Sequence, residues 1–243
     1  MIIRRLPSSL QLITQPDHAA LSARIMREWH PDHFPDSARK PSILRATGEH
    51  DTGWAGIDGT LAVDEATGQL VDFIGVPDAV KRETSWRGIE RLAHDPYAAA
   101  LVAQHRLHVY SRHADDPDWR AFFAEVTAAR DVHLRAAGAS SLEDFLRDYR
   151  YVRLGDLASL VFCNDWPRAD PPEFGYDMML DSTSLVITPD PFEGQAIAIA
   201  IEAREIDLQP FASAADARRV VEGARTVTLA GTVCGSNARG LRG

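Results

Sequence analysis

The chain is predicted to be mainly α, with a helical body over about residues 14–166 and a small antiparallel β appendage made from C-terminal strands and an N-terminal hairpin. Three observations predict it. Apolar residues recur at helical spacing in five segments between Thr14 and Cys163. Strict alternation, as in Ile197, Ile199 and Ile201, is confined to the last third of the chain. Start signals such as Thr14-Gln15-Pro16-Asp17 and Asp95-Pro96 stand immediately before helical runs.

Taken in order, Ile2–Arg5 and Leu10–Ile13 straddle Pro7-Ser8-Ser9 and form a hairpin over residues 1–13. Thr14 then serves as N-cap, Pro16 fits the first turn and Asp17 the capping-box position of a helix running to about Trp29. A second helix covers roughly Ser42 to Glu49, and Gly53 lets the chain leave it. Asp58 to Lys81 is rich in Gly, Asp and Pro and lacks a helical period, so it reads as a long loop fit to wall a pocket. A third helix runs from Asp95-Pro96 to about Tyr110, and a fourth from Asp118 to about Ala137, stopping at Gly138. A fifth runs from Ser140 or Ser141 to about Cys163. Residues 167–234 then supply strands at 183–188, 195–206 and 225–233 and a short helix at 214–222, and 235–243 reads as a loose tail.

Composition excludes several classes. A net charge of −9 with two lysines among 243 residues argues against a nucleic-acid footprint, which needs clustered cations. No run approaches the ~18 apolar residues of a membrane span. Cys163 and Cys234 form neither a CxxC pair nor a disulfide framework, and no apolar leader opens the chain, so the expected compartment is the cytoplasm. A small anionic substrate is compatible with all of this, and self-association is left open.

The helical stripes carry polar residues inward. His18 shares a face with Leu21, Ile25 and Trp29; His50 and Asp51 with Ile43, Thr47 and Trp54; His105 and His108 with Tyr97 and Leu101; His133 with Phe122, Val126 and Ala129; Asp156 with Phe145, Tyr149, Val152, Ser159 and Cys163. A lone inward His is more often a hydrogen-bonded core residue than a ligand. Inward carboxylates are costlier to bury, so Asp51 beside His50 together with Asp156 calls for a cation. Imidazole and carboxylate donors suit Fe, Mn, Zn, Co or Ni, one or two ions per chain. Cys163 reads as a buried small hydrophobe, Ser159 as a hydroxyl orienting Asp156, Asp17 as a cap, and Gln15 as a contact beside His18. Trp54, Phe73 and Trp86 surround the long loop as pocket wall or core.

The order His18, His50-Asp51, a His on a later helix and then Asp156, with Gly53 in His-Asp-x-Gly form, resembles the HD-domain superfamily of metal-dependent phosphohydrolases. The whole chain also resembles an uncharacterised bacterial HD-like family defined only as a domain of unknown function. It does so through Leu12–His18, His50–Trp54 and Asp95-Pro96-Tyr97 leading to His105. The HD resemblance implies a helical bundle over residues 14 to about 163. It implies that His18, His50, Asp51 and Asp156 bind the first metal, with Asp51 able to bridge to a second. His105 would be the next ligand, with His108 and His133 competing for a further place.

The implied reaction is hydrolysis of a small phosphate ester or nucleotide by a metal-activated water, with Asp51 and His105 as catalytic groups. Arg24, Lys81, Arg82 and Arg106 are the candidate cations for the substrate. Two other readings stand beside it. His18, His50, Asp51, His105, His133 and Asp156 would satisfy a di-iron oxygenase of the HD type, cleaving a C–C or C–P bond. A closed cation site would instead mark a non-catalytic binding module.

Overall fold

The computed structural model describes residues 1–59, 61–139 and 141–238. The mainly α expectation, and the all-α class with it, is overturned: helices take 46% and strands 21%, and six of the strands form a curled sheet, so the fold is mixed α/β. Seven helices are present among the described residues: α1 Gln15–Arg27, α2 Lys40–Glu49, α3 Asp78–Arg91, α4 Pro96–Val109, α5 Arg120–Ala136, α6 Leu142–Asn164 and α7 Ala214–Glu222. The strands are β1 Ile2–Arg5, β2 Ser9–Ile13, β3 Ala62–Val63, β4 Leu70–Val71, β5 Asp177–Asp181, β6 Ser184–Thr188, β7 Ala196–Asp207 and β8 Arg225–Gly235.

The expected caps are in place. The Thr14, Asp95 and Ser141 side chains each accept a backbone N–H from the first turn of their helix. Ser140, the alternative start of α6, lies outside the described residues, as do 239–243 of the expected tail; Gly235 closes β8 instead. The long loop is not structureless, because β3 and β4 pair within it and α3 begins at Asp78.

The sheet runs β1-β2-β7-β8-β6-β5, antiparallel except where β6 lies parallel to β8. The N-terminal hairpin joins it by pairing β2 with β7 over Ser9↔Asp207 to Leu12↔Arg204. The sheet is not an appendage, because one of its faces is part of the main helical core. Ile187, Ile199, Ile201 and Val233 share one continuous buried core with the helices, α1 lying on β7 and α6 on β1, β5 and β6. Period-two alternation sends Ile206 to the opposite face of β7, where it joins Leu10, Leu12, Leu70, Phe211 and Ala217 in a second, smaller core.

Within the helical body α4 is central, buried without interruption from Tyr97 to Ala103. Three helices close on one glycine. A Cβ on Gly155 of α6 would stand 2.7 Å from Met26 of α1 and 2.7 Å from Thr47 of α2, so only glycine permits this approach. No described helix is long and apolar enough to cross a membrane.

Candidate metal centre

Each inward side chain arrives from a different element. His18 sits one turn into α1, His50 caps the C-terminus of α2, and Asp51 follows it into the short 3₁₀ turn Thr52–Trp54. Gly53 belongs to that turn, and its backbone lies against α3, where a Cβ would stand 1.9 Å from the Thr84 carbonyl oxygen. His105 comes from the second half of α4 and Asp156 from α6, next to Gly155. His18, His50, Asp51, His105 and Asp156 are all buried.

Four of these side chains converge. His18 Nε2 lies 3.2 Å from His50 Nε2, 3.4 Å from Asp51 Oδ2 and 3.4 Å from Asp156 Oδ1. His50 Nε2 lies 3.6 Å from Asp51 Oδ2 and 3.4 Å from Asp156 Oδ1. Ligands at ~2.0–2.1 Å around a tetrahedral ion would be ~3.3–3.4 Å apart, so the His18–His50 pair with Asp51, and the same pair with Asp156, each have the separations of ligands to one transition-metal ion.

The hydrogen bonds orient the donors. Nδ1 of His50 is 2.8 Å from the Thr47 carbonyl oxygen, which can only accept, so the hydrogen is on Nδ1 and the Nε2 lone pair faces the centre. Ser159 donates to the His18 carbonyl oxygen at 2.8 Å and thereby accepts from His18 Nδ1 at 3.0 Å, turning that Nε2 lone pair inward too. Ser159 thus orients His18 rather than Asp156, the role read from the sequence. Two imidazole lone pairs and two carboxylate oxygens facing one another require a positive charge between them.

Titration follows the same logic. Burial alone would lower the His18 pKa, but hydrogen bonds and charge from Asp156 and Asp51 raise it to about 9, so without a metal a proton supplies the charge. Burial would raise Asp51, yet the Arg106, His50 and His18 charges hold it well below the usual carboxylate range. Asp156 is likewise held far down, against its burial, by hydrogen bonds from His18 and His50. His105 is pushed well below 6.5 by burial and stays neutral; its Nε2 is 3.8 Å from Asp156 Oδ2.

Two arginines back the carboxylates. Arg106 donates from Nη2 to Asp51 Oδ1 at 2.7 Å and also to the His50 carbonyl oxygen. Arg153 donates from Nη1 to Asp156 Oδ2 at 2.7 Å and grips Glu173 through Nε at 2.8 Å and Nη2 at 2.9 Å. The cluster opens on a cavity of about 400 Å³ walled by Trp54, Phe73, Tyr110 and Trp166, with Lys81, His108 and Arg112 among its cationic or titratable lining.

Several sequence-predicted residues lie elsewhere. Arg24 is on the outer side of α1, donating to the Ala198 carbonyl oxygen, and Arg82 stacks on Trp119; neither lines the cavity. His133 is half-buried on α5, away from the cluster, because that stripe emerges from the core after Val126. His108 lines the cavity but faces Glu173 at 3.7 Å rather than the four donors. Lys81 reaches the cavity wall while ion-paired to Asp78. Gln15 lines the cavity with its Oε1 buried and unpartnered. Cys163 is buried, and burial pushes its thiol up to about 12.

Arg153 and Glu173 were missed. Arg153 was detectable one helical turn before Asp156 on the same face. Glu173 lies in an irregular segment and gives no periodic signal.

The family described as Protein of unknown function (DUF3891) matches residues 1–208, a span that carries every residue of this centre, and the chain belongs to that family. No curated protein and no solved structure matches the chain.

Proposed function

We propose that this member of the DUF3891 family is a metal-dependent hydrolase acting on a small phosphorylated compound. The observation that carries the reading is the convergence of His18, His50, Asp51 and Asp156 donor atoms at 3.2–3.6 Å, beside a cavity with cationic lining. A divalent ion held by these residues would supply a water of lowered pKa, toward ~7, and a Lewis acid for a phosphoryl oxygen.

The chain's own groups supply the rest. Lys81 and Arg112 on the wall attract an anionic substrate, and the apolar wall of Trp54, Phe73 and Trp166 limits water around it. Arg106 and Arg153 keep Asp51 and Asp156 ionised, so both carboxylates remain available as ligands. Neutral His105 lines the cavity beside the donor cluster and would act there as an uncharged hydrogen-bonding imidazole.

Elemental analysis of the purified protein, with phosphate release measured over a panel of phosphomonoesters and nucleotides, tests the reading. Mn, Co, Zn or Ni bound to the chain, with phosphate release that disappears in Asp156→Asn, is the expected result. Iron at two per chain with O₂ consumption would replace hydrolase by oxygenase. Absence of metal at every loading would leave a binding module.

A further inference from the structure

We infer that the centre holds one ion, and that Arg106 occupies the position from which a second cation would bridge to Asp51. The inference rests on the metal reading proposed above. A carboxylate bridges two cations by giving one oxygen to each. Asp51 Oδ2 faces His18 and His50, but Asp51 Oδ1 is taken by Arg106 Nη2 at 2.7 Å. That guanidinium is fixed: Arg106 is 4% exposed, and the same Nη2 also donates to the His50 carbonyl oxygen.

Asp156 repeats the arrangement. Its Oδ1 faces the two imidazoles, while Oδ2 accepts from Arg153, which Glu173 holds by a two-point fork. Each carboxylate therefore offers one oxygen inward and is neutralised outward by an arginine.

The grouping of His50, His105 and Asp156 supplies no independent second site. His50 has a single free nitrogen, Nε2, already within the first donor set, because Nδ1 is committed to Thr47. The Asp156 oxygen that His105 Nε2 approaches, at 3.8 Å, is the one that Arg153 holds. A second dication placed here would meet the buried guanidinium of Arg106 and the half-buried one of Arg153, with Asp51 Oδ1 and Asp156 Oδ2 already taken by them.

Arg106 then does electrostatically what a second ion would do. It lines the cavity beside Asp51, so its positive charge borders any anionic ligand bound there. The site is one-metal and arginine-assisted.

Titration of the metal-free chain with Mn(II), followed by electron paramagnetic resonance and calorimetry, tests this. Exchange coupling is the deciding readout, since an ion on a separate surface cluster would be magnetically isolated. The wild-type chain is expected to show one tight ion and no coupled signal at excess manganese. Arg106→Gln should gain a second, coupled ion, and Arg106→Lys should not.

A coupled pair in the wild type would overturn the inference while leaving the metal reading intact. A folded Arg106→Gln, checked by circular dichroism, that still shows no coupling would overturn the role given to Arg106. If that variant does not fold, the wild-type spectrum decides alone. No bound ion in the wild type would remove the metal reading and this inference together.

Discussion

Among the described residues three groups of histidines and carboxylates lie at ligand distance: His18, His50 and Asp51 together with the overlapping His50, His105 and Asp156 in the helical body, and His30, Asp32 and Glu193 where the segment after α1 meets the turn before β7. The residue types are the same, but the imidazoles are used differently. His18 and His50 each spend Nδ1 on an uncharged oxygen and turn Nε2 to the centre. His30 has Nδ1 at 3.5 Å from the Asp32 carboxylate, where it accepts from the Asp32 backbone N–H, and Nε2 at 3.3 Å from Glu193, so neither nitrogen is fixed by a carbonyl or hydroxyl oxygen. The Asp32 side chain is 83% exposed, and water screens the group. Distance alone does not distinguish a ligand set from a surface ion triad; the commitment of the outer nitrogen does.

The comparison is broken most directly by substitution. Asp51→Ala should reduce bound metal to background and abolish activity, while Glu193→Ala should leave both unchanged, as read by elemental analysis and the same turnover assay. Full metal occupancy in Asp51→Ala would sink the ligand assignment. Next in size is a pH effect on the metal-free protein. Because the His18 pKa is raised from 6.5 to about 9, its stabilising charge is complete below ~6.5 and lost as pH rises through 9. Asp51 and Asp156, held below their ordinary values, contribute stability above ~3.8 that is lost on acidification. Melting temperature without metal should therefore fall between pH 6.5 and 9, and saturating metal, which binds the deprotonated ring, should reverse that slope. A flat profile in both states would count against a charged His18.

Ser159→Ala should have a smaller effect. Removing the hydroxyl that fixes the His18 ring should weaken metal affinity ~10–100-fold without abolishing binding, measured by competition with a chromogenic chelator. His133→Gln should be smallest of all, changing metal affinity less than twofold. A larger loss would return His133 to the ligand set.

Helical periodicity identified His18, His50, Asp51, His105 and Asp156 because each lies among apolar neighbours on one helix face, and inward faces of packed helices meet. It failed for α3, whose buried stripe is Lys81, Thr84, Ser85, Gly88 and Ile89. That stripe has perfect helical spacing but almost no apolar residues, so a hydrophobic pattern does not register it. The edge strand β5 was missed because Asp177 and Asp181 bracket only three apolar residues. Surface arginines carry no directional signal either. Arg24 and Arg82 were drawn toward the site by neighbours in sequence, whereas Arg153 belongs there by spacing from Asp156.

The pairing of β2 with β7 also bears on how the chain folds while it is being made. Roughly 195 residues separate the partners, which at about 5–20 residues per second is ~10–40 s of synthesis. The hairpin is apolar on both faces through that interval, with Ile2 and Ile13 destined for one core and Leu10 and Leu12 for the other. α1, α2 and α6 can meet at Gly155 once about 164 residues have emerged. Glu173, which steadies Arg153, and β7, which covers the hairpin, arrive only afterwards. The growing chain can therefore assemble its ligand cluster, and cover the Ile2 and Ile13 face of the hairpin with α6, while the Leu10 and Leu12 face still waits for β7.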